Sequence, residues 1–372
     1  MKALRKAAFI KVGSFSHINN NVIKELIRNF PEFQFDIIDL RPDNYGAEFA
    51  KSVFYSLKEY GNDIVFGKKT LKATYDRTYY FFNRRRKFIL NNLARNKYAF
   101  TFQTQSMFDA SIPGIPHFVY TDHTHLENLH YPGFDRRLLL NNKWVACETT
   151  IYQNAMLNFT MSSNIRKSII EDYSCSPGRV ICVYCGSNVE VTDNESFDPN
   201  RFSKKNILFV GLDWQRKGGP VLAQAFKTVL ASHPDATLTV VGCKPKLDLP
   251  NCNVLGKVDL TEVKKYFNQA SVFCLPTLLE PFGIVFLEAM AHKLPVVATR
   301  IGAIPDFIHD SQNGYLVDPN DSKQLSNALI KLLGSEEECK TFGEYGYKLF
   351  LDRYTWEKTG LRLRNGIMQC LG

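Results

Sequence analysis

The sequence predicts an α/β protein of two domains, each a parallel sheet covered by helices on both faces. Three observations carry this expectation. The chain has 372 residues, a length that suits two domains of ordinary size. Its second half alternates short apolar runs with helical stretches, the pattern of parallel strands joined by crossover helices. Between the halves, 186–203 is polar and turn-rich, with Asp198-Pro199-Asn200 at its end, and reads as a linker.

In the second half, strands are expected at 206–211, 236–242, 253–258, 271–277, 295–301 and 314–318. Helices are expected at 219–232, 261–269, 283–292 and 322–333. The first half alternates less cleanly, with strands expected at 7–12, 35–40, 98–102, 117–121, 159–162 and 180–184. The last segment, 354–371, reads as a terminal helix. The boundaries that follow are 1–190 for the first domain, 191–353 for the second and 354–372 for the closing helix.

Composition bounds the function. Hydrophobic residues make up 45% and charged residues 22%, which lets a globular chain bury a core. No run of about 18 apolar residues is present, so no spanning helix is expected. The basic start, Met1 to Lys6, leads into an apolar run at 7–12 that is too short for a signal peptide and lacks a cleavage site. Of the nine cysteines, only Cys182 and Cys185 form a C-x-x-C, inside a strand-like run and without a second pair to complete a zinc site. Packed thiols in a reducing cytoplasm are expected, and the N-x-S/T matches at Asn158 and Asn194 are then chance. Residues 1–190 hold 25 basic and 17 acidic side chains, or +8; residues 191–372 hold 21 and 20, or +1. The charge excess therefore belongs to the first domain.

The stretch Leu278-Leu279-Glu280-Pro281-Phe282-Gly283-Ile284-Val285-Phe286-Leu287-Glu288-Ala289-Met290-Ala291 follows an apolar strand. Pro281 suits the opening of a helix, and Gly283 allows a ligand close to the backbone. Helix-start amides favour an anion, at the carboxyl end of a parallel strand where open α/β sheets bind ligands. Glu280 and Glu288 would stand about 12 Å apart if helical throughout. Carboxylates accept from sugar hydroxyls, so the pair suits a ligand with hydroxyls at both ends and a diphosphate between.

This stretch resembles the E-x7-E signature of retaining glycosyltransferases of family 4. Leu208-Phe209-Val210-Gly211 and Arg216-Lys217-Gly218-Gly219 resemble the family's first C-terminal strand and its K-G turn. Pro295-Val296-Val297-Ala298-Thr299, Gly302, Asn313-Gly314-Tyr315-Leu316-Val317 and Tyr354-Thr355-Trp356 resemble its later strands and closing helix. The likeness is close over 200–360 and looser over 115–190. It implies the GT-B fold, two Rossmann-like domains facing a central cleft, with the C-terminal helix crossing back to the first. It also implies metal-free, cofactor-free transfer of a hexose, by default glucose from a UDP-sugar with GDP-mannose behind it. Configuration would be retained, the acceptor attacking on the leaving-group face and the donor phosphate taking its proton.

Carried onto this chain, the resemblance implies Glu280 at the donor sugar and Glu288 at the ribose. Backbone amides of Phe282, Gly283, Ile284 and the adjoining Val285 would face the sugar and diphosphate. Lys217 would neutralise the phosphates, with Gly211 in the turn before it. The family often has arginine directly after that glycine; here Leu212 stands there, and Arg216 is the candidate second cation. In the first domain the family's glycine pair is absent, and Gly13 and Ser14 are the nearest candidates. His123, in Tyr120-Thr121-Asp122-His123-Thr124-His125, matches the family's histidine that reaches the donor sugar, with Asp122 and His125 as near misses. Gly186-Ser187-Asn188 resembles the turn before the linker, and Ser162-Ser163 with Arg166-Lys167 the strand end and helix start facing the cleft.

The window 68–97 carries ten Lys/Arg against Asp76 alone. Leu71, Tyr75, Tyr79, Phe82, Ile89 and Leu93 recur at helical spacing, and Tyr80, Phe81 and Phe88 add aromatics expected at the surface. A basic, aromatic amphipathic helix favours an anionic membrane surface. The expectation is a cytoplasmic enzyme held peripherally on the inner face of the cytoplasmic membrane, acting on a lipid, lipid-linked glycan or small-molecule acceptor. No nucleic-acid module accompanies the patch. Rival readings are a nicotinamide dehydrogenase, which lacks its G-x-G-x-x-G, an epimerase or phosphorylase, and a non-catalytic nucleotide-sugar-binding subunit of a glycan-synthesis complex.

Overall fold

The computed structural model describes residues 4–14, 18–41, 45–93, 98–188 and 197–372. Phe15 and Ser16, Arg95 and Lys97 of the basic window, and 189–196 of the expected linker with Asn194 lie outside them. The chain divides into two units, Met1–Tyr184 with Trp356–Gly372, and Cys185–Thr355.

The first unit runs β1 (Arg5–Lys11), α1 (Ile18–Asn29), β2 (Phe33–Asp39), α2 (Tyr45–Val65), α3 (Leu71–Thr74), α4 (Tyr79–Leu93), β3 (Tyr98–Thr104), β4 (His117–Thr121), α5 (Asn142–Asn154), β5 (Leu157–Thr160), α6 (Ser163–Glu171) and β6 (Val180–Cys182). Its sheet is parallel, in the order β2-β1-β3-β4-β5-β6. Strand order reverses beside β1, so the loops after β1 and β3 open at a topological switch point. A lattice of aromatic rings fills one face: Phe9 stacks on Phe102 at 6.0 Å, and Phe100 meets Phe33 edge-on at 5.2 Å. Such rings add specific geometry to a large apolar burial.

The second unit runs β7 (Asn206–Val210), α7 (Gly219–Ser232), β8 (Thr237–Val241), β9 (Cys252–Gly256), α8 (Leu260–Gln269), β10 (Val272–Leu275), α9 (Ile284–Ala291), β11 (Val296–Thr299), α10 (Ile304–Phe307), β12 (Gly314–Val317), α11 (Ser322–Leu333) and α12 (Glu336–Arg353). Its parallel sheet has the order β12-β11-β10-β7-β8-β9, the doubly wound arrangement that switches direction between the first and fourth strands. Here that switch lies between β7 and β10. No described helix is long and apolar enough to cross a membrane.

The closing helix α13 (Trp356–Leu371) packs against α1 in the first unit. Two glycines let it lie close: a Cβ at Gly360 would meet Asn29 Nδ2 at 2.6 Å, and one at Gly366 would meet the Phe159 ring at 2.7 Å. Arg364 donates to Glu32 at 2.9 Å and lies over the Phe30 ring. The first unit's main run reaches Tyr184, which turns through the left-handed region (φ 60°) and whose carbonyl accepts from the buried Tyr120 hydroxyl. The return begins at Trp356, two residues after the expected start. Tyr354 belongs to the second unit, its hydroxyl donating to the Asp306 carbonyl.

Among its described residues, the basic window forms no free amphipathic helix. Phe81, Phe82, Ile89 and Leu93 of α4 are core residues. Arg85 and Arg86 donate to the carbonyls of Met107 and Asp109, and Lys69 pairs with Asp63 at 2.5 Å. Of the residues at helical spacing, Phe82, Ile89 and Leu93 are buried, the last two against Ala8 and Ile10 of β1, whereas Leu71, Tyr75 and Tyr79 are exposed. Of the aromatics expected at the surface, Phe88 is exposed, Phe81 is buried, and Tyr80 lies half-buried against Tyr55.

Candidate functional site

The second unit's switch point is built from the loops after β7 and β10. After β7, Gly211 donates its N–H to the Val241 carbonyl at 2.9 Å and lies beneath the Lys217 stem, where a Cβ would meet Cγ at 3.1 Å. Asp213 then accepts from the Arg216 N–H at 3.0 Å, winding a turn that points Lys217 inward. Gly218 (φ 74°) ends the turn against β10, with space for no Cβ: one would lie 1.8 Å from the Pro276 carbonyl oxygen.

The second loop is tied to the first. Leu278 N–H donates to the Arg216 carbonyl at 2.9 Å, and the Arg216 guanidinium donates to the Leu279 carbonyl at 2.7 Å. These bonds present Glu280, whose carboxylate forms a buried ion pair with the Lys217 ammonium. Arg216, expected at a phosphate, thus has one guanidinium arm bracing the loop that carries Glu280.

Gly283 (φ 94°) caps α9 in a conformation that side chains rarely adopt, and a Cβ there would meet the Phe286 ring at 2.7 Å. Phe286 N–H donates to the Gly283 carbonyl at 3.0 Å, and the N–H groups ahead of it at the start of α9 lie before any intrahelical acceptor. Phe282 turns into the core against Phe307 at 5.8 Å, while Ile284 and Val285 stay half-buried. The glutamate spacing does not follow a single helix: Glu280 lies in the loop before Gly283, and only Glu288 is on α9. Glu288 keeps part of its surface open, yet protein atoms crowd its carboxyl closely enough that burial pushes it up to about 7. It therefore exchanges its proton near neutrality, as functional carboxylates often do.

In the first unit, a cavity of about 260 Å³ opens at the ends of β3 and β4, with His123, His125, Gln105 and Glu148 in its wall. Thr121 Oγ1 donates to the His123 carbonyl at 2.8 Å and fixes the loop. Burial holds the His123 imidazole down to about 4, so it is neutral at pH 7. Its Nδ1 is buried without a hydrogen-bond partner among the described residues, as is Gln105 Oε1. Gln105 also sits at φ 70°, strained for a residue with a side chain. Buried polar atoms without partners are rare enough to mark a ligand site.

The near miss His125 is structural. Its Nε2 accepts from Leu140 N–H at 2.8 Å, which places the ring proton on Nδ1. Its own N–H is held by Glu148 at 3.0 Å, a fully enclosed carboxylate that also accepts from Ser106, Tyr152 and Tyr173. Burial pushes Glu148 up against the pull of those bonds. Gly13 (φ 68°) is likewise committed internally, its N–H to Asp39 at 3.1 Å and its carbonyl to Asn19 at 2.9 Å, and Ser14 follows exposed. Gln105 and Glu148 were not legible in the sequence. A lone polar residue after a strand has no signature; the positive φ is the signal, and it is visible only in the fold.

These features decide which known proteins bear comparison, and the second unit does match one family. Residues 191–349 match glycosyl transferases group 1. An uncharacterized glycosyltransferase of Methanocaldococcus jannaschii is 32% identical over 191 residues, 50% of this chain and 52% of that one. The chain thus spans about half the length of that curated relative. Among solved structures, a sucrose-phosphate synthase from Thermosynechococcus elongatus aligns with a TM-score of 0.70 at 15% identity, covering 98% of this chain and 99% of that one. An Anabaena protein solved with UDP and glucose aligns with a TM-score of 0.64 at 14% identity, covering 98% and 99%. The group 1 match falls on the unit holding Lys217, Glu280 and Glu288, and the fold of the whole chain is GT-B, with two Rossmann-like units.

Proposed function

We propose that the protein is a retaining hexosyltransferase of the family 4 type, marked by E-x7-E and using a nucleotide-diphosphate sugar without metal or cofactor. The observation that carries this reading is the buried Lys217–Glu280 pair at the switch point, beside the Gly283-opened start of α9 and the titratable Glu288. Lys217 and the amides of Phe282, Gly283, Ile284 and Val285 bind the diphosphate, with Arg216 and Gly211 shaping that seat. Glu280 orients the sugar, and Glu288 accepts from ribose hydroxyls. His123, neutral at pH 7, hydrogen-bonds a sugar hydroxyl; Gly13 and Ser14 support the first unit's loop.

In the reaction, the bond from the anomeric carbon to the diphosphate oxygen breaks as the acceptor oxygen bonds on the same face. The acceptor proton passes to the departing phosphate. Charge grows on the diphosphate, and preorganised cations and amides lower that barrier more than they stabilise the bound donor. UDP-glucose is the default donor; the UDP and glucose held by the Anabaena neighbour support that choice. With water in place of the acceptor, slow hydrolysis of UDP-glucose should release α-glucose first, read by the anomeric proton in NMR. Release of β-glucose first would refute retention.

The acceptor is proposed to be a lipid or lipid-linked glycan, reached from an anionic membrane surface on the cytoplasmic side. The surface that suits this is α2 and the turn after it, where Phe54, Leu57, Val65 and Phe66 are exposed, with exposed Lys51 and Lys68 in the same stretch. Phe54→Ser with Phe66→Ser should abolish co-sedimentation with anionic vesicles. A parent protein that never binds such vesicles ends this part of the proposal.

A further inference from the structure

A second cavity in the first unit, of about 920 Å³, lies where one face each of α2 and α4 meets the start of α5. Its volume suits a ligand of several rings. Tyr55 and Tyr80 stack at 3.6 Å with their planes 7° apart, forming one aromatic wall in which each ring stiffens the other. Lys58, Lys87 and Lys143 stand around it, and none makes an ion pair or hydrogen bond with another described residue. The one carboxylate in the lining, Glu59, is already engaged, accepting from the N–H groups of Tyr79 at 3.0 Å and Tyr80 at 3.4 Å at the start of α4. Asn142 opens α5, whose first-turn amides carry a positive partial charge.

We infer that this groove binds an acidic saccharide, with a sugar ring on the Tyr55–Tyr80 wall and its carboxylate or phosphate among Lys58, Lys87 and Lys143. The negative face of an aromatic ring attracts the C–H face of a sugar. Asn83 and Asn142 offer both donors and acceptors to hydroxyls. The lysines, as unneutralised point charges, select an anion. The stacked Tyr55–Tyr80 pair, with Tyr79 as the other aromatic of the lining, does not form the row of platforms on which the successive bases of a single strand stack. The inference uses first-unit residues alone and does not rest on the transfer reading.

Calorimetric titration of the full chain tests it with tetragalacturonate, neutral maltotetraose, inorganic phosphate, an eight-base oligothymidylate and anionic phosphatidylglycerol vesicles. Tetragalacturonate should bind at least tenfold more tightly than maltotetraose or phosphate. Lys87→Gln with Lys143→Gln should weaken it at least tenfold, and because both side chains are exposed these variants should fold. Tyr55→Ala should bring tetragalacturonate down to the affinity of phosphate. Equal binding of the neutral and acidic saccharides, unchanged affinity in the lysine variant, or binding of only vesicles or the oligonucleotide would overturn the assignment.

Discussion

Lys217 and Glu280, 63 residues apart in the chain, form a buried ion pair that joins the loop after β7 to the loop after β10. The strand order, not proximity in sequence, makes them neighbours. Removing one member leaves the other charge buried, which typically costs about 3 kcal/mol or more. Glu280→Ala and Lys217→Met should each lower stability by about that amount, and the double variant by less than the sum. Turnover, measured below the melting transition, should fall on the order of 100-fold in each single variant. Additive stability losses would show that the pair is not coupled.

Gly283→Ala should destabilise the protein by about 1–3 kcal/mol, since φ of 94° is strained for any side chain and a Cβ would press on Phe286. It should also weaken nucleotide binding, because a Cβ would come within 3.1 Å of Glu280 Cγ. Gly61→Ala, in open space on α2, is the control and should be neutral or slightly stabilising. Denaturant titration with nucleotide affinity reads both effects.

Much of this was legible in the sequence, and the reasons differ by element. Most of the twelve strands among the described residues are short apolar runs between turn residues, and buried parallel strands advertise themselves in that way; β4 has the bounds read from the sequence. The turn before α7 was visible in Lys217-Gly218-Gly219, and Gly283 as a glycine at a helix start; the left-handed conformations that require glycine at 218 and 283 show only in the fold. What escaped depends on tertiary context. The apolar spacing of α4 could not say whether a membrane or the sheet covers it. Arg86 and Glu148 look like surface charges until the carbonyls and hydroxyls around them are in place. α12 follows another helix with no strand between them, so the strand–helix alternation does not mark it; its sequence signal is the cap, Ser335 Oγ accepting from Glu338 N–H at 3.1 Å.

Glu288 gives a pH signature. Its folded-state value of about 7 lies above its ordinary 4.5, so the protonated carboxyl favours the folded state. That contribution is complete below pH 4.5 and is lost as pH rises through about 7. Allowing for the solvent that reaches it, Glu288→Gln should be more stable than the parent by about 1–2 kcal/mol at pH 8 and equal to it at pH 4.5. Nucleotide affinity should follow the opposite course, rising in the parent from pH 6 to 8 as the carboxylate ionises. In Glu288→Gln it should be weak and flat.

The histidines act on the acid side. Burial holds His123 and His125 down to about 4 from an ordinary 6.5. The stability they confer is complete above pH 6.5 and is lost as pH falls through about 4, by up to about 1.4 kcal/mol per pH unit for each proton taken up on unfolding. His125→Gln should lower stability at pH 7, because it disturbs the bond from Leu140 N–H, and should flatten the loss towards pH 4. His123→Gln should flatten it similarly, with a smaller loss at pH 7 than His125→Gln, since Nδ1 has no described partner to lose and the ring's interaction with the Asn128 amide is one that glutamine can also make. Parallel pH profiles for parent and variants would contradict this.

The most direct measurement is a thermal-shift titration with a panel of UDP- and GDP-sugars, NAD serving as the negative control, on the parent and on Glu288→Ala. A ligand that binds only the folded state must raise the melting temperature as its concentration grows. The account predicts a saturable rise with one nucleotide sugar, UDP-glucose by default, that disappears in Glu288→Ala. A rise with NAD alone, with no nucleotide sugar, or with one that persists undiminished in Glu288→Ala would contradict a donor seat built on Lys217, Glu280 and Glu288.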